Sequence, residues 1–212
     1  MTGGPQGQVT TEENTMANQD AAFGLRPLKT IGQQDDSTGF SSYWIDAGDA
    51  SVIYQGSLAG SPATGTGYVD LQTAGLELNL GAFWGCFYND PTTLKPTFKN
   101  YYPGSITPPG SKDIEAFVYD SPTQMYEIQS DNAGASAQAD IFKCYDIVGT
   151  GGSTLNGVSS MELDDGTQGT TGLLKIIGLS RDPKNNDITA ANVNWRVMLN
   201  ESLLGSGTAG AA

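Results

Sequence analysis

The chain has 212 residues, of which 38% are hydrophobic and 28 are glycine, and it carries a formal net charge of −13. This length allows one large β domain or two small ones. The excess of acidic residues disfavours the phosphate backbone of nucleic acids and anionic membrane surfaces as partners, because like charges repel. The sequence contains no histidine, so it lacks the side chain most often used as a general base near neutral pH.

The first 28 residues predict an extended arm that precedes the folded domain. Residues 1–22 contain no aromatic residue and show no periodicity, so this segment alone buries too little apolar area to offset its ordering entropy. We expect it to be a disordered tail or an arm that a partner orders. Phe23, Leu25 and Leu28 then supply apolar anchors, and Arg26 supplies a cation that can pair with a carboxylate.

The rest of the chain predicts an all-β domain, since it shows no amphipathic helix and no internal repeat. Alternating or apolar runs predict strands at 40–45, 51–55, 68–72, 76–80, 82–88, 114–119, 125–128, 141–148, 173–179 and 194–199. Gly85 lies inside one of these runs and indicates a bulge or a close backbone approach. The predicted organisation is an N-terminal arm over 1–28, a single β domain over 29–204 and a flexible C-terminal tail over 205–212.

The stretch from Asp113 to Asp131 predicts a central antiparallel hairpin. Ile114, Ala116 and Val118 fall on one side of an extended chain. A turn with a proline follows, and a second apolar run then contains Ile128, which we expect to be buried. Two strand-like runs around a short turn are typical of a hairpin.

The candidate chemistry of the sequence is weak. The pairs Asp35/Asp36, Asp46/Asp49 and Asp164/Asp165 could serve as calcium ligands or as a glycosidase acid and base, but their glycine-rich and serine-rich surroundings favour solvated turns. Cys86 and Cys144 lie in apolar runs, which favours buried free thiols. We therefore expect no enzymatic activity, no cofactor and no metal.

Three motifs in register resemble the head decoration, or cement, proteins of tailed bacteriophages. The first is MANQDAAFGLRPL from Met16, and the second is FVYDSPTQMYEIQSD. The third runs from SSMELD at Ser159 through LLKIIGLSRDPKNNDITAANVNWRVMLNES. Together these motifs span most of residues 16–204, while residues 1–15 precede the usual start of the family.

The resemblance implies a β-sandwich or jelly-roll-like subunit without catalytic residues. Its expected role is that of a structural virion protein on the capsid exterior, assembled in the host cytoplasm, which bridges neighbouring major capsid proteins. The predicted capsid-binding residues are Phe23, Leu25, Arg26 and Leu28. The alternatives are a carbohydrate-binding module, which an exposed aromatic row would favour, and, more remotely, a glycosidase.

The resemblance also implies a homotrimer at positions where several capsid subunits meet. Residues 91–112 form a long connection with five prolines. Two segments, Ala82 to Tyr88 and the proline-rich stretch from Pro91 to Pro109, carry more aromatic surface than one thin sandwich layer needs, and aromatic side chains are enriched at the centre of interfaces. We therefore predict that Phe98, Tyr101 and Tyr102 contribute to the interface between subunits.

Overall fold

The computed structural model describes residues 17–30, 39–62, 64–73 and 78–205, and these residues form an antiparallel all-β sandwich. The predictions for Asp35, Asp36 and residues 1–16 lie outside the described residues. The described strands, in chain order, are β1 (Arg26–Thr30), β2 (Ser41–Ile45), β3 (Leu58–Gly60), β4 (Asp70–Leu71), β5 (Asn79–Asn89), β6 (Pro96–Lys99), β7 (Ile114–Tyr119), β8 (Gln124–Gln129), β9 (Cys144–Val148), β10 (Glu162–Gly169), β11 (Leu174–Leu179) and β12 (Asn194–Leu199). A short 3₁₀ helix spans Gln138–Asp140.

The strands form two sheets that pack against each other. Sheet A has the strand order β1-β8-β12-β11-β9-β10. Sheet B has the order β2-β7-β5-β3-β4, and β6 pairs with the end of β5. Sheet A therefore contains the first strand and the last five, while sheet B contains the six strands between them. No helix among the described residues is long and apolar enough to cross a membrane.

The predicted hairpin between β7 and β8 is wrong, although both strands exist. β7 pairs with β2 and β5 in sheet B, whereas β8 pairs with β1 and β12 in sheet A. The proline-containing turn therefore carries the chain from one sheet to the other. Ile128 is fully buried, as predicted. All six residues of β8 are buried, which is what a strand covered on both faces requires.

The predicted bulge at Gly85 is confirmed. The pairing of β5 with β7 shifts register between Phe83 and Gly85. A Cβ atom at Gly85 would lie 2.7 Å from the carbonyl oxygen of Lys99. The backbone of β6 approaches β5 closely here, and only glycine leaves room for it.

The N-terminal boundary differs from the prediction, because part of the predicted arm belongs to the domain. Arg26–Thr30 forms the edge strand β1 of sheet A. Leu25 is fully buried and belongs to the core beneath sheet A. The run at 51–55 forms no strand and makes only single bridges, one of them between Ile53 and Tyr102.

Two hydrophobic clusters fill the domain. The first lies beneath sheet A and includes Leu58 and Ala82 of sheet B. The second lies on the opposite face of sheet B, where Ile53 and Tyr102 help to cover the strands. Sheet A therefore covers only one end of its side of sheet B, and the remainder of that side carries the surface described next.

Candidate interaction surface

The uncovered side of sheet B presents aromatic side chains. Along β7, Ile114, Ala116 and Val118 point into the core, so Phe117 and Tyr119 point to the other side. Phe117 lies opposite Gly85 of β5 and opposite Ser42 of β2. Because both opposite positions carry small residues, neighbouring aromatic rings can reach the Phe117 ring.

Five rings form a continuous series that we call the aromatic row: Phe98, Phe117, Phe40, Tyr119 and Trp84. Successive ring centroids in this order are 6.0, 5.1, 6.1 and 5.5 Å apart. Phe98 is 54% exposed and Phe40 is 44% exposed. A contiguous apolar surface of this kind is typical of an interaction site, whereas single exposed apolar side chains are ordinary.

The rings of the aromatic row do not form a flat platform. The three contacts that involve Phe40 or Trp84 are edge-to-face, with interplanar angles between 64° and 85°. Edge-to-face packing is favourable because the positive edge of one ring meets the negative face of the next. The resulting surface is corrugated. An exposed aromatic row was expected to favour carbohydrate binding, but a corrugated row suits interdigitation with protein side chains better than stacking of a sugar ring.

An apolar cavity of about 310 Å³ lies at the Trp84 end of the aromatic row. Phe23, Leu25 and Arg26 of the N-terminal segment line one part of it, and Trp84 lines another. The cavity therefore joins the row to the segment that the sequence predicts to bind the capsid. Apolar pockets of this kind hold the anchoring side chains of protein interfaces.

The four predicted capsid-binding residues occupy different environments. Phe23 is half-buried, and the guanidinium carbon of Arg26 lies 3.9 Å from the centre of its ring. Arg26 also forms a salt bridge of 3.1 Å with Glu127 of its own chain. Leu28 is 39% exposed, whereas Leu25 is fully buried. Leu25 is therefore a core residue in this fold, and its side chain is not available to a partner.

The three predicted interface residues also separate. Phe98 belongs to the aromatic row, and Tyr101 is half-buried with its ring stacked on Tyr54 at 5.7 Å. Tyr102 is fully buried, and its hydroxyl donates a hydrogen bond of 2.8 Å to the carbonyl oxygen of Asp49. Tyr102 is therefore part of the sheet B core, because its backbone bridge to Ile53 holds the connection against the sheet.

Two of the carboxylates that the sequence singled out, those of Asp49 and Asp164, bind local backbone. Asp49 accepts a hydrogen bond from the Ser51 amide at 2.7 Å, and Asp164 accepts one from the Gly166 amide at 2.9 Å. Asp164 nevertheless lies within strand β10, and not in the predicted turn. Within the described ranges, no three histidine, cysteine or acidic side chains group as a metal site would require.

Both predicted buried free thiols are confirmed. Cys86 and Cys144 are buried and unpaired. Burial raises the pKa of the Cys86 thiol to about 12. Because the thiolate is the reactive form, the Cys86 side chain acts as a small apolar core residue.

A second cavity, of about 180 Å³, lies beside Trp44 on sheet B. Trp44 is 53% exposed, and Phe87 lines the same cavity. Its polar lining includes Asn89, Asp113 and Glu115. An exposed indole beside amide and carboxylate groups has the chemistry of a small sugar subsite, so this place bears on the carbohydrate-binding alternative.

One signal for this surface was present in the sequence. The alternation along β7 places Phe117 and Tyr119 opposite the buried residues, which marks them as members of a second face. The position of Phe40 beside Phe117 depends instead on the pairing of β2 with β7. Strand order is not visible in a single sequence, so the assembly of the row was not predictable.

Comparison with known protein families, with curated proteins and with solved structures finds no match.

Proposed function

We propose that this protein is a structural virion protein that binds the outer surface of a tailed-bacteriophage capsid and bridges neighbouring major capsid proteins. The observation that carries the proposal is the aromatic row, which lies on a part of sheet B that the described residues leave uncovered. Aromatic side chains supply large buried area at low entropic cost, so they are favoured at protein interfaces.

The form of the aromatic row supports a protein partner over a small ligand. The row runs through five rings in contact and ends in a 310 Å³ cavity, so it is an extended surface and not a closed pocket. The edge-to-face contacts leave grooves between the rings. Side chains of a partner would fill these grooves and the cavity, and water would be excluded from the centre of the contact.

The class of partner comes from the three motifs that resemble the head decoration family. The first motif, MANQDAAFGLRPL, contributes Phe23 and Arg26, which line the cavity at the Trp84 end of the row. The second motif, FVYDSPTQMYEIQSD, contributes Phe117 and Tyr119, which belong to the row itself. Two of the motifs that suggest capsid binding thus converge on one surface of the folded chain.

We further propose that the two ends of the aromatic row have different partners. In this arrangement the Trp84 end, with Phe23, contacts the capsid. The Phe98 end contacts a neighbouring subunit of a homotrimer, together with Tyr101. The net charge of −13 opposes association of identical chains, so an interface between subunits must be apolar at its centre.

The test is co-sedimentation of the purified protein with undecorated capsid shells of the phage that encodes it. We expect wild-type protein to bind shells saturably and a Phe40→Ser/Phe98→Ser variant to lose at least tenfold in affinity. The matched control is Phe142→Ser, which removes a ring that is 73% exposed outside the row. Absence of wild-type binding, or equal binding by both variants, would contradict the proposal.

The second candidate function is carbohydrate binding at the Trp44 cavity. It rests on the exposed indole beside Asn89, Asp113 and Glu115. In that case a glycan array should show retained sugars, and Trp44→Ala should abolish the retention while leaving shell binding intact. If no sugar is retained by the wild type, this candidate is rejected.

A further inference from the structure

All three arginines of the chain line one cavity. The sequence contains ten lysines and arginines in total, and its only arginines are Arg26, Arg181 and Arg196. These three border a cavity of about 300 Å³ on the outer side of sheet A. Among its described lining residues, Glu127 and Asp182 are the acidic ones, so three positive charges meet two negative ones and the net charge of this lining is +1. We call this cavity the arginine pocket. Its lining is locally positive, whereas the chain as a whole carries a net charge of −13.

The pairing of the strands builds this arginine pocket. Arg26 of β1 lies opposite Glu127 of β8, and Glu127 lies opposite Arg196 of β12. Arg196 in turn lies opposite Gly178 of β11. A Cβ atom at Gly178 would lie 2.8 Å from a terminal nitrogen of Arg196, so the glycine gives the guanidinium room to lie across the sheet.

The donors of the arginine pocket are only partly used within the chain. Glu127, whose side chain is 7% exposed, accepts from Arg26 at 3.1 Å and also accepts a short hydrogen bond from the Ser180 hydroxyl. The Nε of Arg196 donates to the carbonyl oxygen of Leu179 at 2.9 Å.

Arg181, by contrast, is exposed, and in the described part of the chain it has no hydrogen bond or ion pair. The buried carboxylate of Glu127 therefore fixes Arg26. The Arg181 guanidinium and the terminal nitrogens of Arg196 remain to face a ligand. A guanidinium presents its donors in a planar fork that matches a carboxylate.

We infer that the arginine pocket binds a carboxylate group on an acidic segment of a partner protein. The inference rests on the proposed function, since it names the chemistry that a capsid subunit would present beside β1. A net charge of +1 balances one carboxylate. A phosphate dianion would place two negative charges at one point next to Glu127 and Asp182, whereas an acidic segment can insert a single carboxylate, so the carboxylate is the better match. Leu28, which also lines the pocket, offers apolar contact for the methylene groups of an Asp or Glu side chain.

A nuclear magnetic resonance titration tests this inference directly. Because the chain has three arginines and all line the pocket, the Nε–Hε region of its ¹⁵N spectrum reports on this site alone. We expect an acetyl-Glu-Glu-amide probe to shift the Arg181 and Arg196 signals saturably, while acetyl-Gln-Gln-amide leaves them in place. Unchanged signals with the Glu-Glu probe would overturn the inference, as would stronger binding of inorganic phosphate at equal ionic strength.

Variants connect the arginine pocket to shell binding. Arg181→Gln/Arg196→Gln should abolish the response to the Glu-Glu probe and weaken shell binding at least tenfold. Lys95→Gln, which removes one exposed positive charge elsewhere, should change neither. Circular dichroism of each variant verifies that the fold is retained, and Arg181→Gln alone serves if the double variant is unfolded.

The two proposals fail in different ways. If wild-type protein binds the Glu-Glu probe but not shells, the proposed function is wrong and the carboxylate site remains. If wild-type protein binds shells and the Arg181→Gln variant binds them equally well without any response to the probe in either protein, the carboxylate site is wrong.

Discussion

The hydroxyl of Tyr126 donates a hydrogen bond of 2.7 Å to the carbonyl oxygen of Tyr119. Tyr119 is the last residue of β7 in sheet B, and Tyr126 lies in β8 of sheet A. The bond therefore joins the two sheets beside the turn that carries the chain from β7 to β8. Burial raises the pKa of Tyr126 far above its ordinary value, so its hydroxyl stays protonated and remains a donor near neutral pH.

Removal of this hydroxyl should destabilise the sandwich. We expect Tyr126→Phe to lower the free energy of unfolding by about 1 kcal/mol, because a buried hydrogen bond is lost without a change in packing. Urea denaturation measures the difference. Tyr101→Phe is the matched control, since the Tyr101 hydroxyl has no hydrogen-bond partner in the ranges that the structure describes, and an equal loss in both variants would contradict the account.

The sequence predicted the individual strands better than their partners. The run NWRVML matches β12 at both ends, and the alternation at 114–119 matches β7. Alternation reveals which side chains share a face, but it does not reveal which edge of a strand is paired. The turn after Tyr119 is therefore compatible with a hairpin or with a crossing to another sheet, and the sequence alone favoured the wrong choice.

The candidate surfaces were less predictable than the strands, for the same physical reason. Arg26 is far in the chain from Arg181 and Arg196, and it meets them because β1, β8, β12 and β11 are successive neighbours in one sheet, with Arg181 just after β11. Tyr102 lies within a proline-rich stretch whose composition predicts a surface loop. Its backbone bridge to Ile53 instead holds it against sheet B, and its side chain is buried. Only the local composition of each segment was visible beforehand.

Stability should fall as pH rises towards neutrality. Burial raises the pKa of Glu162 from 4.5 to about 7 and that of Asp165 from 3.8 to about 6, and the carboxylate of Asp131 adds to both shifts. At these two carboxyls the folded state binds more protons than the unfolded state from about pH 4 to about pH 7, so their contribution to the free energy of unfolding decreases across this window.

The measurement is Tm by calorimetry at about pH 5 and about pH 8. We expect the higher Tm at the lower pH, and we expect Glu162→Gln/Asp165→Asn to reduce the difference. A wild-type Tm that rises with pH across this window, or a variant with an unchanged difference, would show that these two carboxyls do not control the dependence.

Two truncations should show which part of the predicted N-terminal arm belongs to the folded domain. Deletion of residues 1–28 removes Leu25 from the core and three of the five residues of β1 from sheet A, whereas deletion of residues 1–16 leaves both in place. We expect the longer deletion to be less stable than the shorter one by at least about 2 kcal/mol, from the lost burial of Leu25 alone. Denaturation curves of equal midpoint for the two truncations would contradict this assignment of Leu25.

Association of the free protein should strengthen with salt. Each chain carries a net charge of −13, and added ions screen the repulsion between acidic subunits. We expect light scattering to detect a trimer whose dissociation constant falls as salt rises, and a Phe98→Glu/Tyr101→Glu variant to remain monomeric. Tyr102 is left unchanged in this test, because a charge at that core position would unfold the chain.

A monomeric wild type at every salt concentration would rule out the proposed subunit interface. Leu155→Glu provides the control for the added charge, since Leu155 is 96% exposed and lies outside the aromatic row.

The most direct test of the central claim is a cryo-electron microscopy reconstruction of capsid shells decorated with the protein. We expect Trp84 and Phe23 to contact a major capsid protein and Phe98 to face a neighbouring subunit. We also expect the capsid to present a carboxylate to Arg181 and Arg196. A reconstruction in which the protein is bound but the aromatic row faces solvent along its whole length would contradict the account.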